Sequence, residues 1–170
     1  MDADLHALAS ALEAVLFVAD APVSQQRLAE ALEIPTTLIP GALEALERAL
    51  VGRGLRLQRQ GELVQLVTAP EVASAVERFL GLATPARLSN AALETLAVIA
   101  YRQPVTRAQI EQVRGVNADR AIATLLAHGL IEEVGRLDAP GRPVLFGTTF
   151  EFLEHFGLRS LAELPPLPDP

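Results

Sequence analysis

Apolar residues recur at Leu5, Leu8, Leu12, Val15, Leu16 and Ala19, the three-and-four spacing of one helical face. The chain is therefore expected to open with a helix over Leu5–Ala19. Phe17 and Val18 fall outside that face and widen the apolar band. Two readings fit: a central core helix, or a core helix that also serves a subunit interface. A turn at Asp20-Ala21-Pro22-Val23 leads to Ser24, a helix cap, and to a short helix ending near Leu32 with Leu28 and Leu32 inward. Ile34-Pro35 breaks the pattern. A third helix starts at Thr36 or Thr37 and runs to about Leu50, with Ile39, Leu43, Leu46 and Leu50 inward and Pro40 in its first turn. The period then changes from helical to alternating. Leu55–Arg59 and Leu63–Thr68, joined by Gln60-Gly61-Glu62, predict a β-hairpin. A fourth helix follows over Glu71–Leu82, with Val72, Val76, Phe79 and Leu80 on one side.

The second half repeats this order. Gly81–Leu88 is the expected domain boundary, and Ser89 or Asn90 caps a helix with Leu93, Leu96, Ala97, Ala100 and Tyr101 at helical spacing. Thr106 and Gln109 predict a capping box for the next helix, which buries Ile110 and Val113. Gly115 supplies a turn residue free to take positive φ. Asn117 caps a further helix whose apolar face is Ala118, Ala121, Ile122, Leu125 and Leu126. Strands over Leu130–Arg136 and Val144–Gly147 enclose a loop rich in Pro and Gly, and Thr148 and Glu151 predict the capping box of a last short helix. Ala21-Pro-Val-Ser-Gln-Gln-Arg-Leu aligns with Gln103-Pro-Val-Thr-Arg-Ala-Gln-Ile, each after a long apolar helix. A helix-turn-helix followed by a hairpin is a winged helix. The expected fold is mainly α with small β-hairpins (α+β), arranged as two tandem winged-helix domains over 1–84 and 85–158. A Pro-rich tail over 159–170 completes the chain. Only the hairpins are expected to supply strands.

Composition narrows the function. The chain has 170 residues, half of them apolar, with no cysteine, so disulfide and thiolate chemistry are excluded. No stretch has the uncharged length a membrane span needs, and Asp2 and Asp4 stand where a signal peptide would be basic. A soluble, cytosolic protein is expected. Every basic residue is Arg, and the net charge is −7, with neither half basic. Nucleic-acid binding draws on phosphate neutralisation, so the usual footprint of a DNA reader is missing.

The candidate chemistry is thin. His6, His128 and His155 fall in three separate helices without metal-ligand spacing, and His128 at a helix C-terminus suits the dipole. No nucleophile–base pair and no phosphate-cradling Gly-rich loop is visible. Glu132 and Glu133 alternate across a strand and suit a solvated surface. For DNA reading, the third helix offers Arg48 against Glu44 and Glu47, and the helix after Asn117 offers Arg120 beside Asp119. Arg136 and Arg142 flank the second wing's tip, with Arg102, Arg107 and Arg114 nearby in sequence. These arginines either pair with local acids or bind a peptide carboxylate, or else they form a patch for DNA. Phe146, Phe150, Phe152 and Phe156 crowd the end of the second domain, as core or as a groove for a partner helix.

Several segments carry a resemblance. They are Leu88-Ser-Asn-Ala-Ala-Leu-Glu-Thr-Leu-Ala-Val-Ile-Ala-Tyr-Arg-Gln-Pro-Val-Thr-Arg, Glu111-Gln-Val-Arg-Gly-Val-Asn-Ala-Asp, Leu130-Ile-Glu-Glu-Val-Gly-Arg, Pro140-Gly-Arg-Pro-Val-Leu-Phe-Gly-Thr-Thr and Phe152-Leu-Glu-His-Phe-Gly-Leu-Arg-Ser-Leu. The tail Glu163-Leu-Pro-Pro-Leu and, more loosely, Glu13-Ala-Val-Leu-Phe-Val-Ala and Leu66-Val-Thr-Ala-Pro-Glu extend it. In that order they resemble the segregation and condensation protein B (ScpB) family, accessory subunits of the bacterial SMC–kleisin condensin. The resemblance implies a homodimer formed chiefly through the first domain. It implies binding to the kleisin, segregation and condensation protein A, and through it to the SMC ATPase, in chromosome condensation and segregation. It implies no catalytic site and no cofactor, at most weak or indirect DNA contact, no membrane, and a cytoplasmic, nucleoid-associated address. The kleisin is expected on the second domain, with Tyr101, Arg114, Arg136 and Arg142 as candidates; Leu12, Leu16 and Phe17 are the candidates for dimerisation. Each has a structural alternative, since Tyr101 fits a core stripe and Pro140-Gly141-Arg142-Pro143 also shapes a wing. A winged-helix transcriptional regulator is the alternative function.

Overall fold

The computed structural model describes residues 2–81 and 88–167, with side chains from residue 5. The chain divides into two compact units, Met1–Ala83 with Gly157–Pro170, and Thr84–Phe156. The boundary expected at Gly81–Leu88 lies almost wholly outside the described residues, as does Leu82 of the fourth predicted helix.

In the first unit α1 (Asp2–Val18) packs on α3 (Ile39–Leu50), with β1 (Val23–Ser24) and α2 (Gln25–Ala31) between them in sequence. A 3₁₀ turn over Thr36–Leu38 leads into α3, whose first turn accepts Pro40. β2 (Leu55–Gln60) and β3 (Leu63–Thr68) form the hairpin, pairing Leu57 with Leu66 and Arg59 with Val64. The sheet is antiparallel in the order β1-β3-β2. Leu12, Leu28, Ile39, Leu43, Leu46 and Val64 are fully buried between these layers. α4 (Ala73–Leu80) follows a 3₁₀ turn. Ser24 caps α2 as expected, accepting from the Arg27 N–H at 3.2 Å.

The second unit repeats the order: α5 (Asn90–Arg102), β4 (Val105–Thr106), α6 (Arg107–Arg114), α7 (Asp119–Ala127), β5 (Ile131–Arg136), β6 (Val144–Thr148) and α8 (Phe150–Phe156). Its sheet runs β4-β6-β5, with a bulge between Glu133 and Gly135. Leu96, Ile99, Ile110, Leu125 and Leu153 fill its core. Ser89 caps α5, and the Thr106–Gln109 capping box of α6 forms as its spacing predicts.

The structure corrects several local expectations. Each sheet has three strands, because Val23–Ser24 and Val105–Thr106 pair with the hairpin before their helices begin. Two residues carry no alternating pattern, so these strands had no periodic signal. α7 starts at Asp119 with Ala118 as its cap position, and Asn117 accepts from the Asp119 N–H in a local turn. Thr149, not Thr148, caps α8, accepting from the Phe152 N–H, while Thr148 stays in β6 and gives its N–H to Gln103. The inward stripe of α5 is Ala92, Thr95, Leu96, Ile99 and Ala100, which leaves Leu93 and Ala97 facing out. Val113 and Leu126, read as buried faces, are exposed; so are Phe79 and Leu80 on the expected apolar side of the fourth helix, and so is much of Phe156. No helix among the described residues is long and apolar enough to cross a membrane.

Candidate partner-binding surfaces

The expected partner residues of the second unit fall at two places. One is the outer side of α5. Leu93 and Ala97 are exposed there, and Tyr101 is half-buried in the last turns. Beside them Arg114 ends α6, where the dipole favours a cation. Its side chain is only 8% exposed, and Nη2 donates to Glu94 Oε2 on α5 at 3.1 Å. Its Nε is buried with no hydrogen-bond partner in the described structure. Arg114 is thus a cation set into the α5–α6 seam and held there by Glu94.

The second place is the tip of the β5–β6 hairpin. Arg136 Nη1 donates to the Arg142 carbonyl at 3.1 Å, and both residues are exposed. Arg142 takes φ +40 beside Gly141 at φ +81, so the loop is bent through a left-handed pair. Arg136 thereby braces the loop.

In the first unit the trio expected at an interface splits. Leu12 and Leu16 are 0% and 3% exposed and belong to the core under α3. Phe17 is 75% exposed, and Val18 beside it is equally open. Phe17 presents the apolar surface, while Leu12 and Leu16 hold the helix that carries it. The four phenylalanines of the second unit divide likewise. Phe146, Phe150 and Phe152 are core, and Phe156, its ring tilted against Phe152 with centroids 5.0 Å apart, is exposed.

The α7 start tells against phosphate docking. A recognition helix meets DNA with a free, positive N-terminus. Here the Ala118 N–H donates to the Glu111 carboxylate at 3.1 Å and the Asp119 N–H to Asn117 Oδ1 at 3.0 Å. Asp119 itself pairs with Arg107 at 2.7 Å. The hydrogen bond from Asn117, with that from Arg107, holds the Asp119 carboxyl below the usual carboxylate range. Carboxylates therefore already occupy the ground a phosphate would need. Arg107 is spent on Asp119, and Arg114 on Glu94. Among the described residues no group of three or more His, Cys, Asp and Glu is placed to hold a metal.

Two amides, Gln103 half-buried and Gln58 buried, had no signal in the sequence. Gln103, after α5, accepts the Thr148 N–H at 2.8 Å and joins that helix to β6. Gln58, 2% exposed, lies in β2 at a position where alternation alone gives no reason for an amide.

These surfaces describe a protein of two similar mixed α/β units whose open features are apolar helix ends and the arginines of the second hairpin's tip. Residues 10–167 match the family model described as segregation and condensation complex subunit ScpB. A curated relative from Halalkalibacterium halodurans, segregation and condensation protein B, is 46% identical over 168 residues, covering 97% of this chain and 85% of the relative. The crystal structure of ScpB from Mycobacterium tuberculosis is 46% identical, covers 89% of this chain and 95% of its own, and superposes with a TM-score of 0.42. A dimer of the ScpB N-terminal domain complexed with a ScpA peptide is 25% identical over 45% of this chain and 98% of its own, with a TM-score of 0.41. The chain belongs to the ScpB family.

Proposed function

We propose that this protein is a non-catalytic, homodimeric adaptor of a bacterial SMC–kleisin complex, built from two tandem winged-helix domains. The first domain dimerises, with Phe17 at the contact. The second binds the kleisin, segregation and condensation protein A, along the outer side of α5 near Tyr101 and Arg114 and at the hairpin tip of Arg136 and Arg142. Through the kleisin it meets the SMC ATPase and takes part in chromosome condensation and segregation in the cytoplasm, at the nucleoid. The observation that carries this is the family match over residues 10–167, which spans both units. Two features of the chain support it. Each helix–helix–hairpin unit has the element order of a winged helix. The α7 N-terminus, filled by Glu111 and Asn117, disfavours the alternative of a DNA-reading regulator.

Absolute mass by light scattering, with and without the central segment of the cognate kleisin, tests the proposal. A dimer that takes up one kleisin segment per two chains is expected. A monomer indifferent to the segment, binding duplex DNA with a steep negative salt slope, would overturn it in favour of the regulator.

A further inference from the structure

After α8 the chain turns at Gly157, φ +66, and its last residues belong to the first compact unit. That unit has β2 at the edge of its sheet. An open edge offers N–H and C=O groups to any extended chain. Here it is covered from within. The Arg59 N–H donates to the Arg159 carbonyl at 2.8 Å, and Gln58 Nε2 donates to the Leu158 carbonyl at 2.8 Å. The buried Gln58 amide thus finds its role: Nε2 faces the incoming segment, while Oε1 accepts from Gln65 at 2.9 Å. Gly157 lies so close to Pro70 that a Cβ there would meet Pro70 Cγ at 2.9 Å.

The segment also shapes itself. The Arg159 N–H and Nε donate to the two Glu163 oxygens at 2.7 and 2.6 Å, around a 3₁₀ turn over Leu161–Glu163. Its charges interleave with those of the unit. Glu163 chiefly stabilises the Arg159 cation, with a lesser contribution from Glu47, which pairs with Arg59 at 3.1 Å. Burial pushes the Glu163 carboxyl up, Arg159 outweighs it, and Arg56, which pairs with Glu71, adds a lesser contribution. Glu47, Arg56, Arg159 and Glu163 all line one cleft. Arg159 and Glu163 then form one wall of a cleft of about 470 Å³ whose floor includes Leu50, Leu57 and Val72. Residues 158–167 are half-buried or exposed and none is fully buried, the kind of segment that opens locally before the core does.

We propose that residues 157–164 are a detachable strap, docked in cis on the β2 edge, whose cation and anion four residues apart are read by Glu47 and Arg56. Its release uncovers an edge strand able to accept an extended segment in its place. The recognised chemistry is a backbone carbonyl row with an arginine and a following carboxylate at that spacing, and the chain's own tail is the occupant.

Amide hydrogen exchange of the full-length chain tests this at Arg59. The wild-type amide is expected to be protected. The double change Arg159→Glu with Glu163→Arg keeps the strap's own pair but places like charges against Glu47 and Arg56. It should lower Arg59 protection by about tenfold or more, while the β2 amides that face β3 keep theirs. Arg159→Lys with Glu163→Asp, which keeps both signs, should retain most of it. An unprotected wild-type Arg59, or protection unchanged by the charge swap, would overturn the strap. Protection that rises with protein concentration would overturn docking in cis, since a second copy's tail would then be the cap.

Discussion

Thr106 shows how much one side chain can settle. It pairs with Leu145 at the end of β4, accepts the Gln109 N–H as the cap of α6, and donates its own N–H to Gln109 Oε1. Ser24 does the first two of these in the first unit. The T-x-x-Q spacing made the cap legible, because capping chemistry is local and needs only the right residues three apart. Where two threonines adjoin, the same logic slips by one. Thr148 has the box partner Glu151, yet β6 keeps its backbone extended and the cap passes to Thr149. Thr106→Ala should cost about 1–2 kcal/mol in urea unfolding followed at the second unit, and Thr106→Ser should recover most of it, since only the hydroxyl is needed. An unchanged midpoint in the alanine variant would show that the strand alone fixes the start of α6.

At the scale of elements, a helix is easier to foresee than its neighbours. α1, α3 and α5 follow from apolar spacing, but the side each buries depends on what packs there. On α5 both the Leu93–Ala97–Tyr101 and the Ala92–Leu96–Ile99 stripes fit a helical period; the structure buries the second and leaves Leu93 and Ala97 of the first exposed, with Tyr101 half-buried. α4 is amphipathic in sequence, yet Phe79 is 89% exposed. On α1 the split is between adjacent residues. Leu16→Ala should cost about 2–5 kcal/mol, because it empties a packed site under α3, whereas Phe17→Glu should leave the circular dichroism spectrum of the chain close to wild type. Under the adaptor proposal Phe17→Glu should also shift the mass toward monomer. A folded Phe17→Glu chain that stays dimeric would place the dimer contact elsewhere, and Phe79 would be the next residue to change.

Across the whole molecule, the internal repeat was visible in the order of periods and in the aligned Pro22 and Pro104 segments. The return of the tail to the first unit was not, since a strap held by two carbonyls and a charge pair leaves no periodic trace. Among the described residues, Asp119 in the second unit and Glu163 in the first are carboxylates that tie folding to pH. Asn117 and Arg107 hold Asp119 low in the second unit. In the first, burial pushes Glu163 up, but hydrogen bonds from the Arg159 side chain and N–H, with the charges of Arg159 and Arg56, outweigh it and leave the carboxyl below its usual value. A carboxylate that is more acidic in the folded state stabilises it once ionised. Its contribution is complete above the unfolded value, about pH 4, and is lost as pH falls through the lower folded value. Both groups are solvated, so each effect is small and screened by salt. Urea midpoints should therefore be level from about pH 7 to 5 and decline toward pH 3. Glu163→Gln and Asp119→Asn should each sit below wild type at neutral pH and converge on it in acid, with the first variant also losing Arg59 protection. Parallel curves, with the gap to wild type undiminished at pH 3, would show that neither ion pair is coupled to folding.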